Sequence, residues 1–394
     1  MDNKRKALYQ GSVINISSFM AQFTIAMVNL ALVYRMRNHF HLSAQMVGVS
    51  ASIYTSTYLV ACLLLSPLTR RLKPPQSVTI SMFLMIIAVG VILITNHIGV
   101  AFGALVVYGG AMAFLWPQIE VWLARGKEGQ ALNRATSNFN VSWSLGLALS
   151  PLLTGALVEM GTTLPLILAM ALFLGVVILI TVARRTVFDE DSSVSEHVRV
   201  QNWEGSDQST PLRFISWAGV LTVYTALAIT LTIFPLYVQD QSLFSEAVVG
   251  SLLSVRGLVT VAMFVVLGRS KRWHFKRWLI ILIQVAVALL LVVGIFATTY
   301  LHYLFFFLVY GLLFAFAYSM SIFHGASGSL HLSQRMMIHE VLLTLGSVIG
   351  SIFGGGIYQR YGFSKVLLVV SIVVVIPPLV ALFVPKRSFV KQGV

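Results

Sequence analysis

The sequence predicts an all-α integral membrane protein, twelve transmembrane helices in two six-helix halves. Three observations predict it. First, 57% of the 394 residues are apolar and only 10% are charged, against roughly 25% charged in a soluble domain. The apolar residues gather into twelve stretches, each near the ~20 residues a helix needs to cross a bilayer core. Second, the basic residues alternate between successive connections. Third, the second half of the chain repeats features of the first.

In chain order the stretches run over roughly 13–34, 46–68, 77–96, 100–123, 136–158, 163–183, 214–237, 247–268, 277–298, 302–323, 338–358 and 364–385. One segment interrupts them. Residues 186–211 hold Asp189, Glu190, Asp191, Glu196, Glu204 and Asp207, 6 of the 13 acidic residues, together with five serines. Such a stretch cannot bury enough apolar surface to fold alone. It reads as a cytoplasmic linker between an N-terminal half, residues 1–185, and a C-terminal half, residues 212–394.

Of the 27 Lys and Arg, 22 lie on alternate connections, including Lys4 to Lys6, Arg70, Arg71 and Lys73, and Arg269 to Arg277. Four (Arg35, Arg37, Arg360 and Lys365) lie on the opposite set, and Arg256 lies inside a stretch. Positive loops are retained inside during insertion. The alternation therefore places both termini in the cytoplasm and the chain in the cell (inner) membrane, with the first span as an uncleaved anchor. The +14 net charge could suggest nucleic acid as a partner. Cations confined to span ends face lipid headgroups instead, so the bilayer is the expected partner and nucleic acid is not. The single cysteine, Cys62, excludes an intrachain disulfide and any CxxC site. No P-loop, HExxH site or nucleophile elbow appears, so neither an enzyme nor a cofactor is expected.

The halves repeat at a nearly constant offset. Ser43, Val47 and Gly48 precede Ser245, Val249 and Gly250 by 202 positions, and Val107-Tyr108-Gly109 precedes Val309-Tyr310-Gly311 by 202. Leu145-Gly146 precedes Leu345-Gly346 by 200, as Gly155 does Gly355. Parallel six-span repeats about an axis along the membrane normal are a known transporter pattern. On these features the chain resembles a major facilitator superfamily permease. The fifth stretch, Trp143 to Gly155 with Pro151, is similar to the Gly/Pro-rich motif of that superfamily's fifth span. The basic loop Ser66 to Lys73 stands where its loop-2/3 signature lies, without the usual glycine and aspartate. Phe114 to Trp122 and His339-Glu340 resemble a bacterial branch. The resemblance implies a monomeric transporter with spans one, four, seven and ten around a central cavity, and spans five and eleven between the halves.

Candidate site residues follow. Gly346, Gly350 and Gly354, and more weakly Gly146, are small residues that let helices approach closely. They read as a domain-interface surface for rocking, or as ordinary packing. A cation at mid-membrane costs about 2.5–3.5 kcal/mol on insertion scales, so Arg256 is either the anchor of an anionic substrate group or half of an internal ion pair. Glu120 is either a proton carrier or the partner of Arg70 or Arg71. His339 and Glu340 read as proton coupling, or as residues suited to a helix start. Gln22 and Asn29, seven apart on one helix face, with Tyr54 and Tyr224, are candidate substrate contacts.

The expected function is secondary active transport of a small molecule, anionic or amphiphilic, by alternating access coupled to a proton or other ion. The alternatives are a multidrug or lipid exporter of the same fold, and a membrane sensor or assembly subunit that does not transport.

Overall fold

Apolar runs near 20 residues have only helices open to them in lipid, because every backbone polar group must be satisfied within the segment. The computed structural model describes residues 3–69, 71–124, 129–186, 209–329 and 331–383. Among these, twelve helices are long and apolar enough to cross a membrane. Spans one to six are Tyr9–Asn38, Ala44–Leu64, Pro74–Ile94, Ile98–Leu123, Arg134–Met160 and Thr163–Ala183. Spans seven to twelve are Leu212–Asp240, Glu246–Gly268, Arg277–Gly294, Tyr300–Ala326, Gln334–Tyr361 and Phe363–Phe383. Most of the linker expected at 186–211 lies outside the described residues.

Two spans are interrupted where proline removes a backbone donor. Span four stops at Met112 and resumes at Trp116, just before Pro117. Serines of span three serve the carbonyls at the break: Ser77 Oγ donates to Phe114 O at 2.7 Å and Ser81 Oγ to Ala111 O at 2.6 Å. Span seven passes through a π-helical turn, Ile229–Ile233, ahead of Pro235. Single π turns inside α-helices are frequent at functional sites.

The chain forms two compact units. The smaller comprises residues 1–28, 57–147 and 166–206. In it span five lies tightly on span one: a Cβ at Gly146 would fall 2.9 Å from Phe23 N and close to Phe19 O.

The larger unit comprises residues 29–56, 148–165 and 207–394. Its framework is spans seven to twelve, with the core packed from Phe234, Phe307, Tyr310, Leu252 and Val287 among others. The ends of spans one, two and five join it in two crossings that obey the sequence repeat. Span two meets span eleven, where a Cβ on Gly48 would strike the Ser351 carbonyl and one on Gly355 would lie 2.6 Å from Ala44 O. Span five meets span eight in the same way, Gly250 against the Pro151 carbonyl and Gly155 against Glu246 O. These glycines, not Gly146, Gly346, Gly350 and Gly354, bring spans of the first sequence half onto the second. Gly346 and Gly350 pack on Leu221, Tyr224 and Thr225 of span seven, and Gly354 on Ile229. The stripe expected to be a domain interface is thus a within-half seam: spans seven and eleven need close backbone approach to each other.

Candidate functional site

The feature around which a site can be built is Arg256 on span eight. The helix carries it to mid-span, where it is 2% exposed. Close packing supports its backbone. A Cβ at Gly311 of span ten would strike the Arg256 carbonyl, and one at Gly257 would lie 2.6 Å from Ala148 Cα. Thr260 Oγ1 donates at 3.0 Å to the carbonyls of both Arg256 and Gly311, tying spans eight and ten together.

The guanidinium lies 5.8 Å from the centroid of the Phe314 ring. It makes no ion pair or hydrogen bond among the described residues, and its Nε is buried without a partner. The internal ion pair considered for Arg256 is therefore not formed. Burying a charge is costly unless it is paired, which sets Arg256 apart from the other cations of the spans.

Phe314 belongs to a larger cluster of aromatic rings. Phe306, Tyr310, Phe314 and Tyr318 stand four apart on span ten and form one helix face. Phe306 and Tyr310 stack at 5.9 Å, and Phe314 and Tyr318 at 6.2 Å. Tyr310 donates its hydroxyl to Val223 O at 2.9 Å, locking that ring to span seven. Tyr224 of span seven lies 5.3 Å from Phe314 and 6.3 Å from Tyr318. It is half-buried, and its hydroxyl makes no hydrogen bond among the described residues.

Beyond Tyr318 the cluster continues into titratable groups. The His339 ring is 5.2 Å from Tyr318. Ser321 Oγ is 2.8 Å from His339 Nδ1, in a fully buried pair. His324 Nδ1 lies 3.0 Å from Ser216 Oγ and 2.9 Å from Met320 O. Nε2 of both imidazoles is buried without a partner. Glu340 is exposed and within electrostatic reach of Tyr224.

Of the residues singled out in the sequence, the structure brings together Arg256, Tyr224, His339 and Glu340. Asn29 and Tyr54 are half-buried on spans one and two in the same unit, and Gln22 is half-buried in the smaller unit. Glu120 is exposed and does not pair with Arg71, itself exposed; Arg70 lies outside the described residues. Sequence reasoning missed Tyr310, Phe314, Tyr318 and Ser321. The four-residue aromatic spacing on span ten was the signal that could have found the first three.

The family follows from this architecture. The sequence profile of the Major Facilitator Superfamily matches residues 14–330, and the chain belongs to that superfamily. It is a multi-pass membrane protein of a transporter family. Among solved structures, it is similar to a mutant of the peptide transporter POT in complex with sulfate, at 12% identity and a TM-score of 0.76, covering 96% of this chain and 94% of that one. A POT family transporter in complex with 5-aminolevulinic acid gives 10% identity and 0.77, covering 96% of each chain. The nucleoside transporter NupG gives 13% identity and 0.71, covering 97% of this chain and all of that one. At these identities the likeness shows the fold alone. No curated protein matches the chain in sequence.

Proposed function

We propose that the chain is a secondary active transporter of a small anionic molecule, working by alternating access in the cell (inner) membrane with both termini in the cytoplasm. The observation that carries the reading is the Arg256 guanidinium, buried at mid-span with no anionic side chain paired to it among the described residues. Arg offers a forked donor set suited to carboxylate or phosphate, and an intramembrane ion without a counter-charge marks a substrate path by default. The two sequence halves, residues 1–185 and 212–394, move against each other about this site in a monomer.

Coupling to protons is assigned to the His339–Ser321 pair and Glu340, which adjoin the aromatic ring cluster. The solved relatives of this fold carry peptides, 5-aminolevulinic acid or nucleosides in their names. Several of these bear charge, which suits an ionic anchor.

The experiment is a thermal-stability screen of the purified protein against a charged-metabolite panel, run beside Arg256→Ala. A ligand stabilises only if it prefers the folded state. Stabilisation by one anion class that vanishes in the variant supports the reading. Uptake of that anion into proteoliposomes, driven by an imposed pH gradient, then tests coupling. Stabilisation by apolar cations alone, unchanged in Arg256→Ala, would overturn the anionic substrate.

A further inference from the structure

We propose that the Arg256 site takes a carboxylate carried on a flat aromatic body, the anion on the guanidinium and the ring among Tyr224, Phe314 and Tyr318. The inference rests on Arg256 being the anion anchor argued above. It comes from what surrounds the charge.

The guanidinium lies over a ring, 5.8 Å from the Phe314 centroid, and among the described residues no polar side chain is hydrogen-bonded to it. Around Phe314 the rings are tilted or offset rather than interlocked. Tyr224 is inclined 46° to Phe314 and 33° to Tyr318, and Phe264 lies 5.4 Å from Tyr318 at 44°. Phe314 is 5% exposed and belongs to the core, whereas Tyr224 and Tyr318 are only half-buried. Each of these two therefore keeps part of its surface exposed.

Aromatic rings prefer offset or edge-to-face partners at centroid distances of about 4.5–7 Å, and such pairs add to simple area burial. A flat ring can join this array; a flexible alkyl chain gains only the area it covers. The Tyr224 hydroxyl, without an acceptor among the described residues, supplies a second donor beside the anion.

The test is calorimetric titration of the purified full chain with benzoate and phenylacetate, against acetate, butyrate and hexanoate, with benzyl alcohol as the uncharged ring. Benzoate or phenylacetate should bind up to about tenfold tighter than an aliphatic carboxylate of equal charge, the gain one added ring pair supplies. Arg256→Gln should abolish binding of both kinds of acid. Arg256→Lys, which keeps the charge and guards against a folding defect, should retain part of it. Phe314→Leu should weaken the aromatic acids more than it weakens hexanoate, because only the aromatic acids lose a ring pair.

Hexanoate binding as tightly as benzoate, with both lost in Arg256→Gln, overturns the aromatic inference and leaves the anion reading standing. Benzyl alcohol binding as tightly as benzoate, or no carboxylate binding at all, overturns both.

Discussion

Glu159 and Gln359 hold equivalent positions in the two halves, 200 residues apart, and each caps the first turn of a helix from the opposite half. Ala247 N of span eight donates to Glu159 Oε1 at 3.0 Å, and Gln45 N of span two donates to Gln359 Oε1 at 3.2 Å. The capped residues are themselves repeat mates, 202 apart. The glycine contacts one turn away obey the same symmetry, as do the ends of spans one and seven. There Arg37 pairs with Asp240, and their mates Gln239 and Asn38 bond at 2.9 Å. One set of contacts has been used twice.

The first N–H groups of a helix have no partner within it, so removing the acceptor should be felt. Glu159→Ala should lower stability, as loss of an N-cap does. Glu159→Gln, which keeps an acceptor oxygen as Gln359 does by nature, should cost less. Thermal unfolding in one detergent, with both variants side by side, checks the order. Equal losses would mean the carboxylate acts through charge alone.

Gly250 offers a sharper probe of the span five and span eight crossing. A Cβ there would collide with the Pro151 carbonyl and lie 3.1 Å from Gly155 Cα. Both are backbone atoms that cannot swing away. Gly250→Ala should therefore push the two spans apart. Thermal unfolding in one detergent should show Gly250→Ala less stable than the wild-type protein, as overpacking against fixed atoms requires. Gly103→Ala is the control, since nothing lies within 4 Å of its added methyl.

Topology was legible because lipid leaves the backbone few options. Apolar stretches of bilayer length had to be helices, and the observed spans fall on all twelve. The offsets at Gly48 and Gly250 were legible too, and they lie at real crossings. The interface was misplaced, because a small-xxx-small stripe says that something approaches closely, not what. Gly346 and Gly350 receive span seven of their own half. Arg256 stood out by cost alone, but its surroundings did not: aromatic residues are common in apolar helices, and only the fold shows Phe314 under the guanidinium. Asp240 drew no attention because its partner Arg37 lies 203 residues away.

Asp240 holds two partners. Arg37 Nη2 reaches Oδ1 at 2.7 Å, and Tyr358 donates its hydroxyl to Oδ2 at 2.8 Å. The residues line a cleft of about 480 Å³ with Ser43, Gln359 and Arg360. The Arg37 and Asp240 side chains are 34% and 25% exposed, so the pair is worth about 1 kcal/mol or less. Asp240→Asn should barely move the melting temperature. It should still raise maleimide labelling at a Ser43 cysteine, because it weakens a contact between spans one, seven and eleven. Added salt should give part of the same increase to the Ser43→Cys, Cys62→Ala protein with Asp240 intact, by screening the pair. Labelling unchanged by both would show that the pair does not hold these ends together.

The two buried serine–histidine pairs should respond unequally to the same change. Among the described residues, the Ser321 hydroxyl and His339 Nδ1 hydrogen-bond only to each other: they lie 2.8 Å apart, on side chains of 0% and 1% exposure. Ser321→Ala leaves Nδ1 unsatisfied, a cost of about 1–3 kcal/mol. His324 is different, because its Nδ1 also lies 2.9 Å from the Met320 carbonyl. That bond requires the proton on Nδ1 and survives the loss of Ser216. Ser216→Ala should therefore cost less than Ser321→Ala in thermal unfolding. If His339 also carries the coupling proton, Ser321→Ala should shift the pH profile of uptake, and Ser216→Ala should leave it in place. Equal stability losses would show that Ser216, and not Met320, is the partner that satisfies His324.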